Sequence, residues 1–259
     1  MKWRRFLTGE HRAAPMFGVS PVLAGSPLGE EFLRMTKNKV ESLIPPGYYE
    51  VGVQVGQSTT DFLAKADRGY ILEGPTSQCI KKGASVISNA EALPIGRNRV
   101  DLLVLPFALD SVAVPHAVLR EAVGVLAAEG CLVVCGFNRY SMWSIRRVLA
   151  GDLNCNTLFS VQRLQDWLQL LSLELISASM TFYRPPVASR KVLDRLSFME
   201  DAGDRWWPML GGCYVVVARK KMLSGTRESI RVLKANGRRA RHLAPALPRT
   251  SAKRSVRIG

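Results

Sequence analysis

The run Val100 to Phe107, VDLLVLPF, is apolar at nearly every position. A strand with one wet face alternates apolar and polar side chains, so a strand without alternation must be covered on both faces, as in a parallel sheet flanked by helices. The residues that follow continue this pattern. Pro115 to Ala128, PHAVLREAVGVLAA, places Val118, Leu119, Ala122, Val123 and Leu126 at helical spacing, Glu129-Gly130 terminates the helix, and Cys131 to Phe137, CLVVCGF, is apolar again. Strand, helix, glycine and strand form the local pattern of a βαβ crossover. The chain is therefore expected to be α/β, with a Rossmann-like doubly wound sheet.

The other elements fit that plan. Ser26-Pro27 opens a helix, with Ser at the cap, Pro at the first helical position and Glu30 and Glu31 in the first turn, where the helix dipole favours acids. Pro45-Pro46-Gly47 stops it. Tyr48 to Gln57, YYEVGVQVGQ, reads as a buried strand running into a glycine turn, the place where open α/β sheets hold nucleotide-like ligands. Ser58 to Ala66 is weakly helical, and Gly69 to Glu73 and Ala84 to Ser88 are two further strands. Tyr140 to Leu149, Ser160 to Leu173 and Val187 to Ala202 read as helices, and Leu175 to Tyr183 and Gly212 to Ala218 as the sixth and seventh strands.

Charge divides the chain. Of the net +15, +12 lies between Arg219 and Gly259, where 13 Lys and Arg face the single acid Glu228. We expect a leader over 1–25, one domain over 26–219, and a basic tail over 220–259 too poor in large apolar residues to offset its ordering entropy. The tail could bind phosphates of nucleic acid, although it has no Phe, Tyr or Trp for base stacking. No apolar run approaches the roughly 20 residues needed to span a bilayer. The five cysteines, odd in number and without a CxxC, are expected to be reduced and buried in a cytoplasmic protein. The three histidines are too far apart in sequence to build a zinc signature with them.

Three segments together resemble the class I S-adenosylmethionine-dependent methyltransferases, in particular a methyltransferase-11-like domain of a bacterial branch. Glu50-Val51-Gly52-Val53-Gln54-Val55-Gly56 resembles the family's acid-x-Gly-x-Gly-x-Gly loop. Asn89-Ala90-Glu91-Ala92-Leu93-Pro94 resembles its Asp-Ala-Glu-x-Leu-Pro segment. Asp101 to Leu105, Val118-Leu119-Arg120-Glu121-Ala122, Val125-Leu126, Glu129-Gly130 and Leu132-Val133-Val134 are similar to its fourth strand, following helix and fifth strand. The resemblance implies a seven-stranded, mostly parallel sheet whose last strand is antiparallel, with S-adenosylmethionine as cofactor and a methyl acceptor of unknown identity, a small molecule being favoured.

It also assigns roles. Glu50 would support the cofactor's amino-acid end, Gly52 and Gly56 would let the backbone approach it, and Gln54 stands where a middle glycine is usual. Glu73, ending the second strand, would accept bonds from the ribose hydroxyls. Asn89 would read the adenine amino group, Ala90 would offer its backbone, and Leu105 and Phe107 would cover the cofactor. For Glu73, Asn89, Leu105 and Phe107 a purely structural role stays open. No catalytic residue can be named, because methyl transfer from a sulfonium demands alignment more than a fixed base. Gln54 and Asn89 keep a second reading open: a methyltransferase-like binding protein with a degenerate cofactor loop, associated with nucleic acid through its tail.

Overall fold

The computed structural model describes residues 27–74, 85–144, 158–185, 198–207 and 209–221. The compact unit runs to Lys221, and Met222–Gly259 forms a second unit outside the described residues. The leader, Cys79, Cys155 and most of the helices expected at Tyr140 to Leu149 and Val187 to Ala202 also lie outside them.

Helix α1 spans Pro27–Leu43, with Pro27 at its first position. Strands β1 (Tyr49–Val55), β2 (Ala66–Glu73), β3 (Ser85–Ile87) and β4 (Val100–Pro106) follow, then helix α2 (Pro115–Val125), β5 (Leu126–Phe137), α3 (Val161–Leu170), β6 (Leu173–Thr181), α4 (Phe198–Trp206) and β7 (Cys213–Lys220). They form one sheet in the order β3-β2-β1-β4-β5-β7-β6. The first five strands are parallel, and β7 runs antiparallel between β5 and β6. The doubly wound seven-stranded architecture is thus present, with the last strand, β7, antiparallel to both of its neighbours as expected.

The expectation from VDLLVLPF holds: Leu102, Leu103, Val104 and Leu105 are all fully buried. Leu103 and Leu105 face one core layer, shared with Val118, Leu119 and Ala122 of α2 and Leu164 and Leu168 of α3. Leu102 and Val104 face the other, closed by Phe32, Leu33 and Val40 of α1. In that second layer Phe32 stacks on Phe137 at 5.5 Å between ring centroids and meets Phe182 edge-on at 5.1 Å. Phe107 and Trp143 complete the group. Burying an aromatic ring this completely contributes about 3–5 kcal/mol, so this cluster is what holds α1 on the sheet.

Cover is thinner at the other end. Ser58 to Ala66 does not form the expected helix; Gly56 to Lys65 is an irregular connection between β1 and β2. Ser88 to Arg99, between β3 and β4, has no helix either. As a result Asp67 to Tyr70 in β2 are exposed in succession, as are Val86 and Ile87 in β3. Among the described residues no helix is long and apolar enough to cross a membrane.

Arg184 joins α1 and α4. Its side chain is 10% exposed, 3.4 Å from Glu200 and 3.7 Å from Glu31, and its carbonyl accepts the indole N–H of Trp143 at 2.7 Å. Glu200 also accepts the Tyr183 N–H through both oxygens. Burial pushes the Glu200 carboxyl above its ordinary value, and the Tyr183 N–H and Arg184 offset this only in part. A raised carboxyl binds its proton more tightly in the folded state, so its contribution to stability is fullest below the unfolded value and is lost as pH rises through the folded one. Replacing Glu200 by Gln keeps an acceptor for Tyr183 N and removes the titration. We expect urea unfolding midpoints of Glu200→Gln to fall less between pH 4 and pH 7 than those of the parent; an unchanged pH slope would contradict this account.

Candidate functional site

In an open α/β sheet the ligand crevice lies beyond the carboxyl ends of the strands where the winding reverses, here between β1 and β4. The end of β1 therefore decides what the crevice can hold. β1 extends to Val55, and the chain turns at Gly56, with φ 92°, and Gln57, with φ 40°. Gly56 N–H still donates to Leu72 O at 2.9 Å, so the turn begins directly at the strand's end.

This moves the expected site residues. Glu50 is the second residue of β1, five residues before the strand ends, and its exposed carboxylate faces Arg68 at 3.6 Å. It does not lie under the loop. Gly52 is in mid-strand, where a Cβ would come within 2.4 Å of Ala66 Cβ and 3.3 Å of Leu63 Cδ2. Its missing side chain makes room for the β1–β2 connection, with no ligand involved. The place under the loop belongs to Gln54, two residues before the turn.

Gln54 is fully buried. Its Nε2 donates to Gln57 O at 2.6 Å and Thr60 O at 2.9 Å, with Gly56 O at 3.3 Å, and its Oε1 accepts Phe62 N–H at 2.9 Å. Three carbonyls around one end and an N–H at the other fix which end is nitrogen. The short connection that replaces a helix is wrapped on this amide. Phe62 and Leu63, at its far end, turn inward and are buried, and Asp61 Oδ1 accepts Leu63 N–H at 2.8 Å. Gln57 donates to the Thr59 hydroxyl within the loop.

The other residues are placed as follows. Glu73 ends β2 and is 3% exposed. Asn89 is exposed, and its Oδ1 accepts Glu91 N–H at 3.1 Å while its carbonyl accepts Ala92 N–H at 3.1 Å. It serves its own turn. Ala90 is buried in the core layer that also holds Leu105. Phe107, with φ 58°, belongs to the aromatic cluster under α1, so both Leu105 and Phe107 are core residues. Two of the segments that carry the resemblance do meet, as Leu93 N–H donates to Glu121 Oε1 of α2 at 3.2 Å.

A cofactor loop of this family needs backbone open to close approach, which glycine provides. Beyond Gly56, residues 57 to 60 are Gln, Ser, Thr and Thr, the amide under them is used within the loop, and no helix follows to present N–H groups. The residues present do not fit S-adenosylmethionine in the family's manner.

Sequence reading missed Asp110. It lies in a short 3₁₀ turn after β4, is 3% exposed, and accepts Phe137 N–H at 2.8 Å, tying the ends of β4 and β5 together. An acid inside the apolar stretch Phe107 to Val114 was the available signal. Burial drives the Cys131 thiol up to about 11, and it also pushes the Cys135 and Cys213 thiols and the Tyr214 phenol well above their ordinary values, with Asp110 adding to the last three. None of the four is ionised near neutral pH, so none is a ready nucleophile or base. His116, at the start of α2, packs against Trp167 with ring centroids 4.0 Å apart. Trp206 and Trp207 are 71% and 57% exposed.

Changing Gln54 to Glu keeps the shape but places a carboxylate among carbonyl oxygens. We expect Gln54→Glu to lose about 2–4 kcal/mol at pH 8, more than Gln54→Ala, and to recover part of it at pH 5, where the protonated acid again has a donor. Equal stability of Gln54→Glu and the parent by urea unfolding at pH 8 would refute the network.

No family model matches the chain. Over 91 residues it is 38% identical to the uncharacterized protein YafS of Escherichia coli strain K12, a stretch covering 34% of this chain and 38% of that protein. Among solved structures it is similar to a S-adenosylmethionine-dependent methyltransferase from Thermotoga maritima, at 20% identity and TM-score 0.55 over 73% of this chain and 89% of that one. It is also similar to a structure of the Haloferax volcanii Trm112 methyltransferase activator in complex with a methyltransferase, at 18% identity and TM-score 0.56 over 74% and 91%. The [4+2]-cyclase SpnF matches at 14% identity and TM-score 0.52, over 80% and 86%. The chain has the fold of the S-adenosylmethionine-dependent methyltransferases.

Proposed function

We propose that the chain is a binding protein built on the methyltransferase fold, with a first loop filled by its own Gln54. The buried amide carries this reading: displacing it to admit a ligand would break its four contacts, and each buried group left without a partner costs about 1–3 kcal/mol. The fold alone does not decide the activity, since its structural neighbours include a cyclase as well as methyltransferases. The second reading, a methyltransferase acting with S-adenosylmethionine on an unknown, small-molecule acceptor, is favoured by Glu73. This acid is buried at the end of β2, one strand from the loop, where it could accept bonds from ribose hydroxyls. Isothermal titration of the full chain with S-adenosylmethionine and S-adenosylhomocysteine separates the two. No saturable heat at millimolar ligand is expected; a saturable isotherm weakened by Glu73→Gln would overturn the first reading in favour of the second.

The basic tail supports a nucleic-acid partner. A chain ending at Lys221 keeps Lys220, whose Nζ donates to Val123 O and Leu126 O at 2.7 Å and so closes the end of α2. We expect the full chain to retain single-stranded RNA at 50 mM salt with an affinity that falls steeply by 200 mM, and the chain ending at Lys221 to retain little at either. Equal retention by the two would remove the tail from that role.

A further inference from the structure

A cavity of about 340 Å³ opens between α3 and β6, beside the residues that follow β5. β6 stands three strands beyond β4 in the sheet, which at ~4.8 Å per strand is about 14 Å from the crevice. A ligand there would not be the one held by the turn at Gly56. The inference therefore goes beyond the reading of the crevice and stands whichever reading of it holds.

The lining decides the ligand class. None of the described residues that line the cavity carries a charge. A charged ligand group, once taken from water, would find no counter-charge and would pay heavily for desolvation, whereas a neutral polar one needs only hydrogen-bond partners. The nearest cation on α3, Arg163, holds its guanidinium over Trp167, 5.2 Å from the ring centroid. Asn138 is 2% exposed and satisfied by the chain itself: Nδ2 donates to Met209 O at 2.7 Å and Gly211 O at 2.9 Å, and Oδ1 accepts Tyr140 N–H at 3.1 Å. It shapes the wall and holds Met209 and Tyr140 at the cavity.

The lining hydroxyls of Ser160 and Ser179 are engaged by the chain, Ser160 Oγ accepting Arg163 N–H at 3.3 Å and Ser179 Oγ donating to Met180 O at 3.3 Å, so that beside the two tyrosine hydroxyls the other hydrogen-bonding side chains are Gln162 and Gln165. They lie three apart on α3 and so on one face, and each presents a donor and an acceptor side by side. Tyr140, Tyr183, Met180 and Met209 also line the cavity, residue types whose rings and thioethers favour a flat aromatic partner over an aliphatic one. Paired amides reading a donor–acceptor edge, beside aromatic and sulfur faces, are the complement of a nucleobase-like ring.

We propose that this cavity binds an uncharged heteroaromatic ring with an amide-like donor–acceptor edge, of the nucleobase kind. The test titrates the full chain with adenosine, guanosine, cytidine and uridine, and with benzoate as a charged aromatic of similar size. At least one nucleoside binds saturably and benzoate does not. Gln165→Leu and Gln162→Leu, at solvent-accessible positions of α3, each weaken that nucleoside about tenfold, the loss expected for one hydrogen-bonding group. Ala178→Phe, which fills the cavity from β6, abolishes binding, and Glu73→Gln in the crevice leaves it within about twofold. Absence of saturable binding by all four nucleosides at millimolar concentration, or benzoate binding as tightly as the best of them, overturns the proposal. So does binding that Glu73→Gln removes and both glutamine variants leave intact, which would place the nucleoside in the crevice and count against the filled loop instead.

Discussion

Dry burial of β4, β5 and β7 on both faces is the constraint on which the molecule rests. Most apolar side chains of these strands, including Leu102 to Leu105, Leu132 to Val134 and Val215 to Val217, are fully removed from water. Hydrophobic burial on that scale demands a cover on each face. α2 and α3 supply one cover, and α1, fixed through Phe32, supplies the other. Where the cover ends, the strands change character, and β2 shows four exposed residues in a row. The sheet is thus strong at its centre and toward β7, and bare toward β3.

How much of this could be read in the sequence follows from the range of each interaction. The strands of the centre, α1 from its Pro27 start to its Pro-Pro-Gly stop, and α2 with its glycine-terminated exit are set by local periodicity and local breakers, which a single sequence displays. The connection after β1 is set otherwise. Ser58 to Ala66 has weak helical propensity, but Phe62 and Leu63 are drawn into the core, Leu63 against Gly52 and Gly69, and Gln54 supplies the hydrogen bonds a helix would have made for itself. Tertiary packing overrides propensity there. The register of the glycine motif was illegible for a related reason. Glu-x-Gly reads equally well anywhere along a strand, and only the observed strand end at Val55 tells which residue lies beneath the turn.

The two halves of the sheet accordingly offer different chemistry. On the β1 side an amide is consumed by its own backbone, Asn89 is spent on a turn, and the acid Glu73 is buried nearby. On the β6 side, amides on one helical face border a space to which the described lining residues bring no charge. The thiols and phenol between these regions are held neutral by burial.

The self-filled turn at Gly56 also bears on descent. An acid at position 54 is penalised while the carbonyls of 56, 57 and 60 converge on that spot. Glycines at 58 and 60 would loosen the unfolded chain without gain while no ligand repays them. Each single step back toward an open cradle is unfavourable until the others are made. Such mutual dependence is epistasis in its simplest form: substitutions at 54, 58 and 60 are not additive, and the loop opens only when several are changed together.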